Sequence, residues 1–200
     1  MLLLISLIFI FTIVSVSSVF VNVISDINAV PSDSVITIIN GTYSDTHFEI
    51  NNKKNITIDT NGTVIIQQCD NPMIIKNSDN ITISNIIIRN CSSLGLGGGL
   101  NITNSYYSTF RNVSFLSNSA ESGGGMGIVD SEVYINAGIF TGNYATQFGG
   151  GIISIRSSLF VAEDSLISEN MVGTSSIVGN GGGIFVSSPI AFTVKNSHIL

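Results

Sequence analysis

Charged side chains are scarce in this 200-residue chain. Seven residues are Lys or Arg and 13 are Asp or Glu, so charged residues make up 10% of the sequence, against about 25% in an average domain. The formal net charge is −6, and the basic residues are scattered. A nucleic-acid-binding protein needs a concentrated basic face. We therefore expect no nucleic-acid partner.

Patterns typical of helices are missing after residue 35. A helical repeat needs apolar residues at positions i, i+3, i+4 and i+7. Residues 56–59 and 100–103 instead alternate apolar and polar side chains, as β-strands do. Such segments are short, rich in Ile, Val, Phe and Thr, and bounded by Asn, Ser and Gly. The sequence predicts an all-β protein.

Glycine triplets recur in this chain at near-regular intervals, beginning at positions 97, 123, 149 and 181, and such a period is typical of stacked structural units. Gly permits a sharp turn with positive φ, and a column of Gly lets stacked backbones approach without a Cβ clash. We predict a structural role for all twelve residues: Gly97, Gly98, Gly99, Gly123, Gly124, Gly125, Gly149, Gly150, Gly151, Gly181, Gly182 and Gly183.

A second motif precedes successive triplets in phase with them. Its copies are Phe115-Leu-Ser-Asn118, Phe140-Thr-Gly-Asn143 and Ile167-Ser-Glu-Asn170. We expect these asparagines in turns, because Asn tolerates the left-handed region and its amide can bond the Asn one coil away. One period then holds two or three short strands, which is one coil of a single-stranded parallel β-helix.

The two motifs resemble the repeats of polymorphic outer-membrane proteins, within the pectin-lyase-like superfamily. The repeat resemblance covers about residues 85–185, with Ile167 replacing Phe in its last copy. Residues 35–43 are similar to the strand and turn that open many pectin-lyase-like β-helices. The resemblance implies a right-handed parallel β-helix, which we expect over residues 35–200. In it, Leu100, Ile102, Met126, Ile128, Ile152, Ile184 and Val186 should point inward, and Asn101, Gly127, Ile153 and Phe185 outward.

Residues 1–25 carry no charged side chain. Residues 1–18 are predicted to be a cleaved signal peptide, since an apolar run ends at the small residues Ser17 and Ser18. Residues 1–25 could alternatively form an uncleaved membrane anchor. Residues 19–34 are predicted to be a lead-in or cap. This segment places the protein on the secretory route, either secreted or at the cell surface.

Seven N-glycosylation sequons also favour the secretory route, although a chain rich in Asn, Ser and Thr produces some sequons by chance. The candidate acceptors are Asn40, Asn55, Asn61, Asn80, Asn90, Asn101 and Asn112.

The two cysteines, Cys69 and Cys91, occupy matched positions in adjacent repeats. Stacked equivalents lie ~5 Å apart, within bridging distance. An oxidising compartment favours a disulfide over two free buried thiols. No His is near either cysteine, so we expect no metal site and no cofactor.

No catalytic constellation is recognisable in the sequence. Glycoside hydrolysis needs two carboxylates on one face, and the acidic residues are dispersed. Asp130 lies five residues after its triplet and Arg156 five after the next, so we expect an inter-coil ion pair. The favoured function is non-catalytic: structure, adhesion, or recognition of extracellular glycans or surface proteins. The alternative is a polysaccharide lyase or glycoside hydrolase.

The last residues, ending at Ile199 and Leu200, have the pattern of the middle of a coil. The sequence therefore predicts an uncapped end there, with further coils and a second route to membrane anchorage beyond residue 200.

Overall fold

The computed structural model describes residues 17–21, 24–162, 164–173 and 180–200. They form an all-β parallel solenoid, as the sequence predicts. In these residues the one helix is a 3-10 helix, Ile24–Ala29. The predicted signal segment lies almost wholly outside the described residues, which begin at Ser17.

The strands, in chain order, are short except for two long ones. The first eleven are β1 (Ser17–Val21), β2 (Ser34–Ser44), β3 (Glu49–Asn51), β4 (Lys54–Gln67), β5 (Met73–Lys76), β6 (Asp79–Ser84), β7 (Ile86–Arg89), β8 (Leu100–Thr103), β9 (Ser108–Arg111), β10 (Ser114–Leu116) and β11 (Ser119–Ser122). The others are β12 (Met126–Val129), β13 (Glu132–Asn136), β14 (Ile139–Thr141), β15 (Tyr144–Phe148), β16 (Ile152–Ile155), β17 (Ser158–Ala162), β18 (Leu166–Ser168), β19 (Met171–Val172), β20 (Ile184–Ser187), β21 (Ala191–Lys195) and β22 (His198–Ile199).

Each coil passes through the same faces in the same order. Face 1 stacks the start of β4 with β6, β9, β13, β17 and β21, and face 2 stacks the end of β4 with β7, β10, β14, β18 and β22. Strand β4 therefore turns the corner between the two faces. Face 3 is a six-stranded sheet of β3, β5, β8, β12, β16 and β20. A small sheet of β11, β15 and β19 lies between faces 2 and 3 along the chain.

Neighbouring strands pair in parallel and in the register that the repeats predict. Met126 pairs with Leu100 on one side and with Ile152 on the other. Strands β8, β12, β16 and β20 each begin directly after a glycine triplet. The prediction of stacked triplets, each opening a strand, is therefore confirmed.

The triplets bring the backbones of successive coils into direct contact. The N–H of Gly98 donates to the carbonyl of Gly123 at 3.1 Å, and that of Gly124 donates to Gly149 at 3.2 Å. A Cβ on Gly124 would lie 2.4 Å from the carbonyl oxygens of both Gly150 and Tyr144. Because both of those atoms belong to the backbone, no side-chain rearrangement can make room.

The core is a column of aliphatic and aromatic side chains from all three faces. The predicted inward residues of β8, β12 and β16 are almost fully buried in it: Leu100, Ile102, Met126, Ile128 and Ile152. Ile184 and Val186 are only half-buried, because β20 is the last strand of face 3. Phe115 and Phe140 stack in the core with ring centroids 4.8 Å apart.

Several of the residues predicted to point outward from face 3 lie on its outer side but are covered there rather than exposed to solvent. Ile153 is on the outer side of the sheet but is buried, and it lies against Gly123. Gly127 is buried beside Leu96 and Gly97. Phe185 is half-buried, with its ring 4.8 Å from that of Phe148. Residues just before or at the start of the first three triplets, namely Leu96, Gly97, Gly123 and Phe148, lie against the outside of face 3 and cover these positions.

Buried asparagines form a ladder along the solenoid axis. The side chain of Asn118 donates to Asn143 at 3.1 Å, and that of Asn143 donates to Asn170 at 2.9 Å. Each also donates to a backbone carbonyl, as Asn143 does to Phe115 at 2.9 Å. The ladder is as predicted, but its residues are not left-handed. The positive φ angles belong to the preceding residues, Ser117, Gly142 and Glu169.

The two ends of the described solenoid differ in their contacts. Strand β1 pairs in parallel with β2, so parallel pairing reaches further towards the N-terminus than the predicted start at residue 35. Ser17 and Ser18, the proposed end of the signal peptide, lie in β1, and the predicted lead-in contains the 3-10 helix. At the other end, Ile199 and Leu200 are exposed.

Replacing Gly124 with Ala should destabilise the fold through the backbone clash described above. We expect the free energy of unfolding to fall by about 3 kcal/mol, the upper part of the usual range for an overpacked site. Urea denaturation followed by circular dichroism measures it. Gly95→Ala is the matched control, since a Cβ there has no atom within 4 Å. Equal stability of the two variants would contradict the close-approach explanation.

Candidate functional site

Cys69 and Cys91 form the predicted disulfide between adjacent coils. Their Cα atoms are 4.3 Å apart, and both residues are buried. They directly follow the paired ends of β4 and β7 on face 2. The bridge closes a loop of about one coil.

Asp130 and Arg156 lie on equivalent turns of neighbouring coils, both with positive φ. The guanidinium donates to the carboxylate twice, Nε to Oδ1 at 2.8 Å and Nη2 to Oδ2 at 2.6 Å. This hydrogen bond, reinforced by the charge of Arg156, holds the pKa of Asp130 below its ordinary value. The pair is open to solvent, so its contribution to stability is small.

Replacing Arg156 with Gln should raise the pKa of Asp130 towards its ordinary value. Since the folded-state pKa is below the unfolded one, the stabilisation by the pair exists above the unfolded pKa and is lost as pH falls through the folded pKa. Carboxyl-detected NMR titration measures the change. Arg89→Gln is the control, because it removes an equal charge elsewhere and should leave the titration of Asp130 unaltered. An unchanged Asp130 pKa in Arg156→Gln would rule the pairing out.

The candidate glycosylation sites differ in their surroundings. Asn40, Asn55, Asn61, Asn80, Asn90 and Asn112 are exposed, whereas Asn101 is half-buried on β8 with its Oδ1 atom buried. Several belong to surface ladders: Asn80 donates to Asn55 at 2.8 Å, and Asn55 donates to Asp33 at 2.7 Å. The surface ladders use left-handed residues, unlike the buried one.

A groove runs along the small sheet, and we call it the acidic groove. It has a volume of about 620 Å³ and is lined by Asp70, Ser92, Ser93, Leu94, Ser119, Ala120, Glu121, Tyr144 and Thr146. Leu94 is fully exposed at its rim. Its turn is fixed by hydrogen bonds from the N–H of Gly95 to Ser93 Oγ at 3.1 Å and from the N–H of Glu121 to the carbonyl of Gly95 at 3.0 Å.

The groove combines two carboxylates that are separated in sequence by close to two periods. Asp70 is exposed next to the disulfide, and Glu121 accepts a hydrogen bond from Gln147 Nε2 at 2.5 Å. The phenol of Tyr144 donates to the carbonyl of Gly173 at 2.8 Å, which fixes its ring against the groove. The arrangement offers an apolar anchor, an aromatic side chain and two negative charges to one ligand.

A second groove, the aromatic groove, opens on the outer side of face 1. It has a volume of about 430 Å³ and is lined by Asn80, Tyr107, Thr109, Arg111, Tyr134, Ile135, Asn136 and Phe160. The rings of Tyr134 and Phe160 stack with centroids 4.7 Å apart and planes 7° apart. A hydrogen bond to Glu132 raises the pKa of Tyr134 and holds its hydroxyl at the rim.

His47 lies in a small depression that is also lined by Asp45, Cys69 and Asp70, so the expectation that no His is near either cysteine is wrong in space, although Cys69 is bridged to Cys91. The described segments bring together no group of three His, Cys, Asp or Glu side chains that could hold a metal ion. In the same segments, no helix is both long and apolar enough to cross a membrane.

Sequence reasoning missed both grooves, although the period contained a signal for each. Tyr134 and Phe160 are separated by one period, so they had to meet on adjacent coils. Asp70 and Glu121 are separated by about two periods. A search for acidic residues that are close in sequence therefore does not find this pair, whereas stacking the coils does. Applying the period to every aromatic and acidic residue would have found these pairs.

Comparison with known proteins finds no relative of this chain. No family model matches the chain, and no curated protein and no solved structure matches it significantly. The functional argument therefore rests on the residues and the geometry above.

Proposed function

We propose that this chain is a secreted or cell-surface β-helix that recognises a partner without catalysing a reaction. Its partner is an extracellular protein or glycan, and the acidic groove is the binding site. The proposal includes a signal segment at residues 1–18, with membrane anchorage through residues 1–25 as the alternative. It also includes glycosylation at some of the seven sequons.

Three features support the secretory route together. Residues 1–25 lack charged side chains, and seven sequons occur between Asn40 and Asn112. The disulfide between Cys69 and Cys91 is of a kind that persists in oxidising compartments. None of these features depends on the others.

The finer description of the fold is also a proposal. Parallel crossover connections within one sheet are right-handed in about 98% of cases, so we propose a right-handed solenoid. The glycine-triplet and Phe-x-x-Asn motifs support kinship with the polymorphic outer-membrane protein repeats of the pectin-lyase-like superfamily. Fold kinship of this kind does not assign an activity.

The fully exposed Leu94 carries the functional proposal. The turn that carries it is fixed by the hydrogen bonds of Gly95, and its exposed side chain offers a partner an apolar contact at the rim of the groove, for which a reaction centre has no need. Asp70 and Glu121 add negative charge beside it, which favours a partner that presents a basic side chain. The hydrogen bond that Glu121 accepts from Gln147 holds its carboxylate in place for such a contact.

Replacing Leu94 with Ser should weaken binding at least tenfold, the usual loss for an interface anchor. The purified full chain is screened against arrays of basic-aliphatic peptides and of glycans, and hits are measured by calorimetry. Ile190→Ser is the matched control, since Ile190 is exposed away from the groove. Equal binding by both variants would contradict the assignment of the groove, and an absence of hits on both arrays would contradict the recognition role.

A glycoside hydrolase or polysaccharide lyase is the second candidate, because the acidic groove brings Asp70 and Glu121 together. Two carboxylates flanking a sugar chain are the chemical requirement for glycoside hydrolysis. The same protein, incubated with a panel of polysaccharides, is assayed for new reducing ends. Cleavage that is abolished in both Asp70→Asn and Glu121→Gln would establish this candidate and displace the first.

A further inference from the structure

We propose that the aromatic groove binds an N-linked glycan attached to Asn80, and that the first sugar of this glycan packs against Tyr107 and Tyr134. The inference rests on the secretory route of the proposed function. It assigns a ligand to a groove that the recognition role does not use. The bound group is an N-acetylglucosamine ring covalently attached to this chain.

The column of outward residues on face 1 explains the shape of the groove. Phe160, Tyr134 and Thr109 follow one another in register on β17, β13 and β9. Phe160 stacks on one side of Tyr134, whereas the small side chain of Thr109 leaves the other side facing the groove. Tyr107 stands beside this position on the same strand edge and is 60% exposed. The groove thus combines one face of the Tyr134 ring with the side chain of Tyr107.

The remaining lining matches the edges of a sugar ring. Pyranose rings have apolar C–H faces that pack on aromatic side chains and hydroxyl groups at their edges. Thr109, Arg111 and Asn136 line the groove beside the rings, and its lining contains no carboxylate. Arg111 is exposed and offers several donors to hydroxyl or amide oxygens. Such a mixture of ring faces and a few polar groups is typical of small-ligand sites.

Asn80 connects the glycosylation motif to this groove. It begins the sequon Asn80-Ile81-Thr82, it is exposed, and its own side chain lines the groove. Its Nδ2 donates to Asn55 Oδ1 at 2.8 Å. A glycosylated amide keeps one N–H, so this bond and a glycan are compatible. Asn112 lines a different groove, which has no aromatic residue.

Covalent attachment makes even a weak contact persistent. A free monosaccharide must reach a high concentration to occupy a shallow groove, whereas a tethered one is present at an effective concentration of about millimolar or more. Each sugar–aromatic contact therefore stabilises the folded state directly. The glycan at Asn80 should raise the melting temperature, and a glycan at Asn112 should not.

The test uses Thr82→Val, which destroys the sequon and leaves Asn80 intact. The full chain is secreted from eukaryotic cells, its glycans are mapped by mass spectrometry, and its melting temperature is measured. We expect an occupied Asn80 and a decrease of about 3 °C in Thr82→Val. The same variant made in bacteria, without glycans, should melt like the bacterial wild type. Ser114→Ala, which removes the Asn112 sequon, is the matched control and should change little.

A second variant tests whether the stabilisation by the glycan depends on the ring of Tyr107. In the Tyr107→Ala background, Thr82→Val should lower the melting temperature of the secreted protein by clearly less than it does in the wild-type background, because only the Tyr134 contact remains. An unoccupied Asn80 alongside other occupied sequons would overturn this inference alone. Complete absence of glycans on the secreted protein would also overturn this inference alone, whereas failure of the chain to be secreted or to reach the cell surface would overturn the proposed secretory route. Asn80 could also be occupied while Thr82→Val changes the melting temperature equally in secreted and bacterial protein. That result would show that the glycan projects into solvent, and it would overturn the proposed packing of the sugar on the tyrosines.

Discussion

Close approach of successive coils at the glycine triplets is the constraint on which the structure depends. From residue 97 onwards, each coil brings its backbone back to the same place, where Gly98 bonds Gly123 and Gly124 bonds Gly149. A coil with side chains at these positions could not pack at this distance. The first glycine of each triplet also makes a turn with positive φ, as Gly97 and Gly123 show. The near-regular recurrence of the triplets follows from this geometry.

Once the coils are in register, equivalent polar residues of successive coils form hydrogen bonds with each other along the solenoid axis. The buried ladder of Asn118, Asn143 and Asn170 supplies partners for backbone groups that the turns leave without one. A serine ladder does the same at the corner between faces 3 and 1, where Ser105 and Ser131 accept hydrogen bonds from the preceding coil. Buried polar groups are costly when unpaired, so these ladders resist any slip of register.

The repeat in the sequence was sufficient to predict everything that the register determines. Parallel pairing, the strands after each triplet, the bridge between Cys69 and Cys91 and the position of Arg156 over Asp130 all follow from aligning one coil with the next. The path of the chain outside that register could not be predicted. The burial of Ile153 depends on the segment that folds over face 3, and its sequence has no strong apolar pattern. The period places Thr109 and Tyr134 in one column, but the depth of the aromatic groove depends on their difference in side-chain size, which the period does not specify.

Deletion of one whole coil tests the central role of register most directly. Removing residues 123–148 joins Ser122 to Gly149 and places Asn118 one coil from Asn170, so the triplets and the ladder stay aligned. Removing residues 123–146 takes out two residues fewer and breaks that alignment. The measurement is equilibrium unfolding in urea, followed by far-UV circular dichroism. We expect a cooperative transition for both variants, with a clearly lower urea midpoint for the second. Similar curves for the two variants, or an unfolded first variant, would contradict the central role of register.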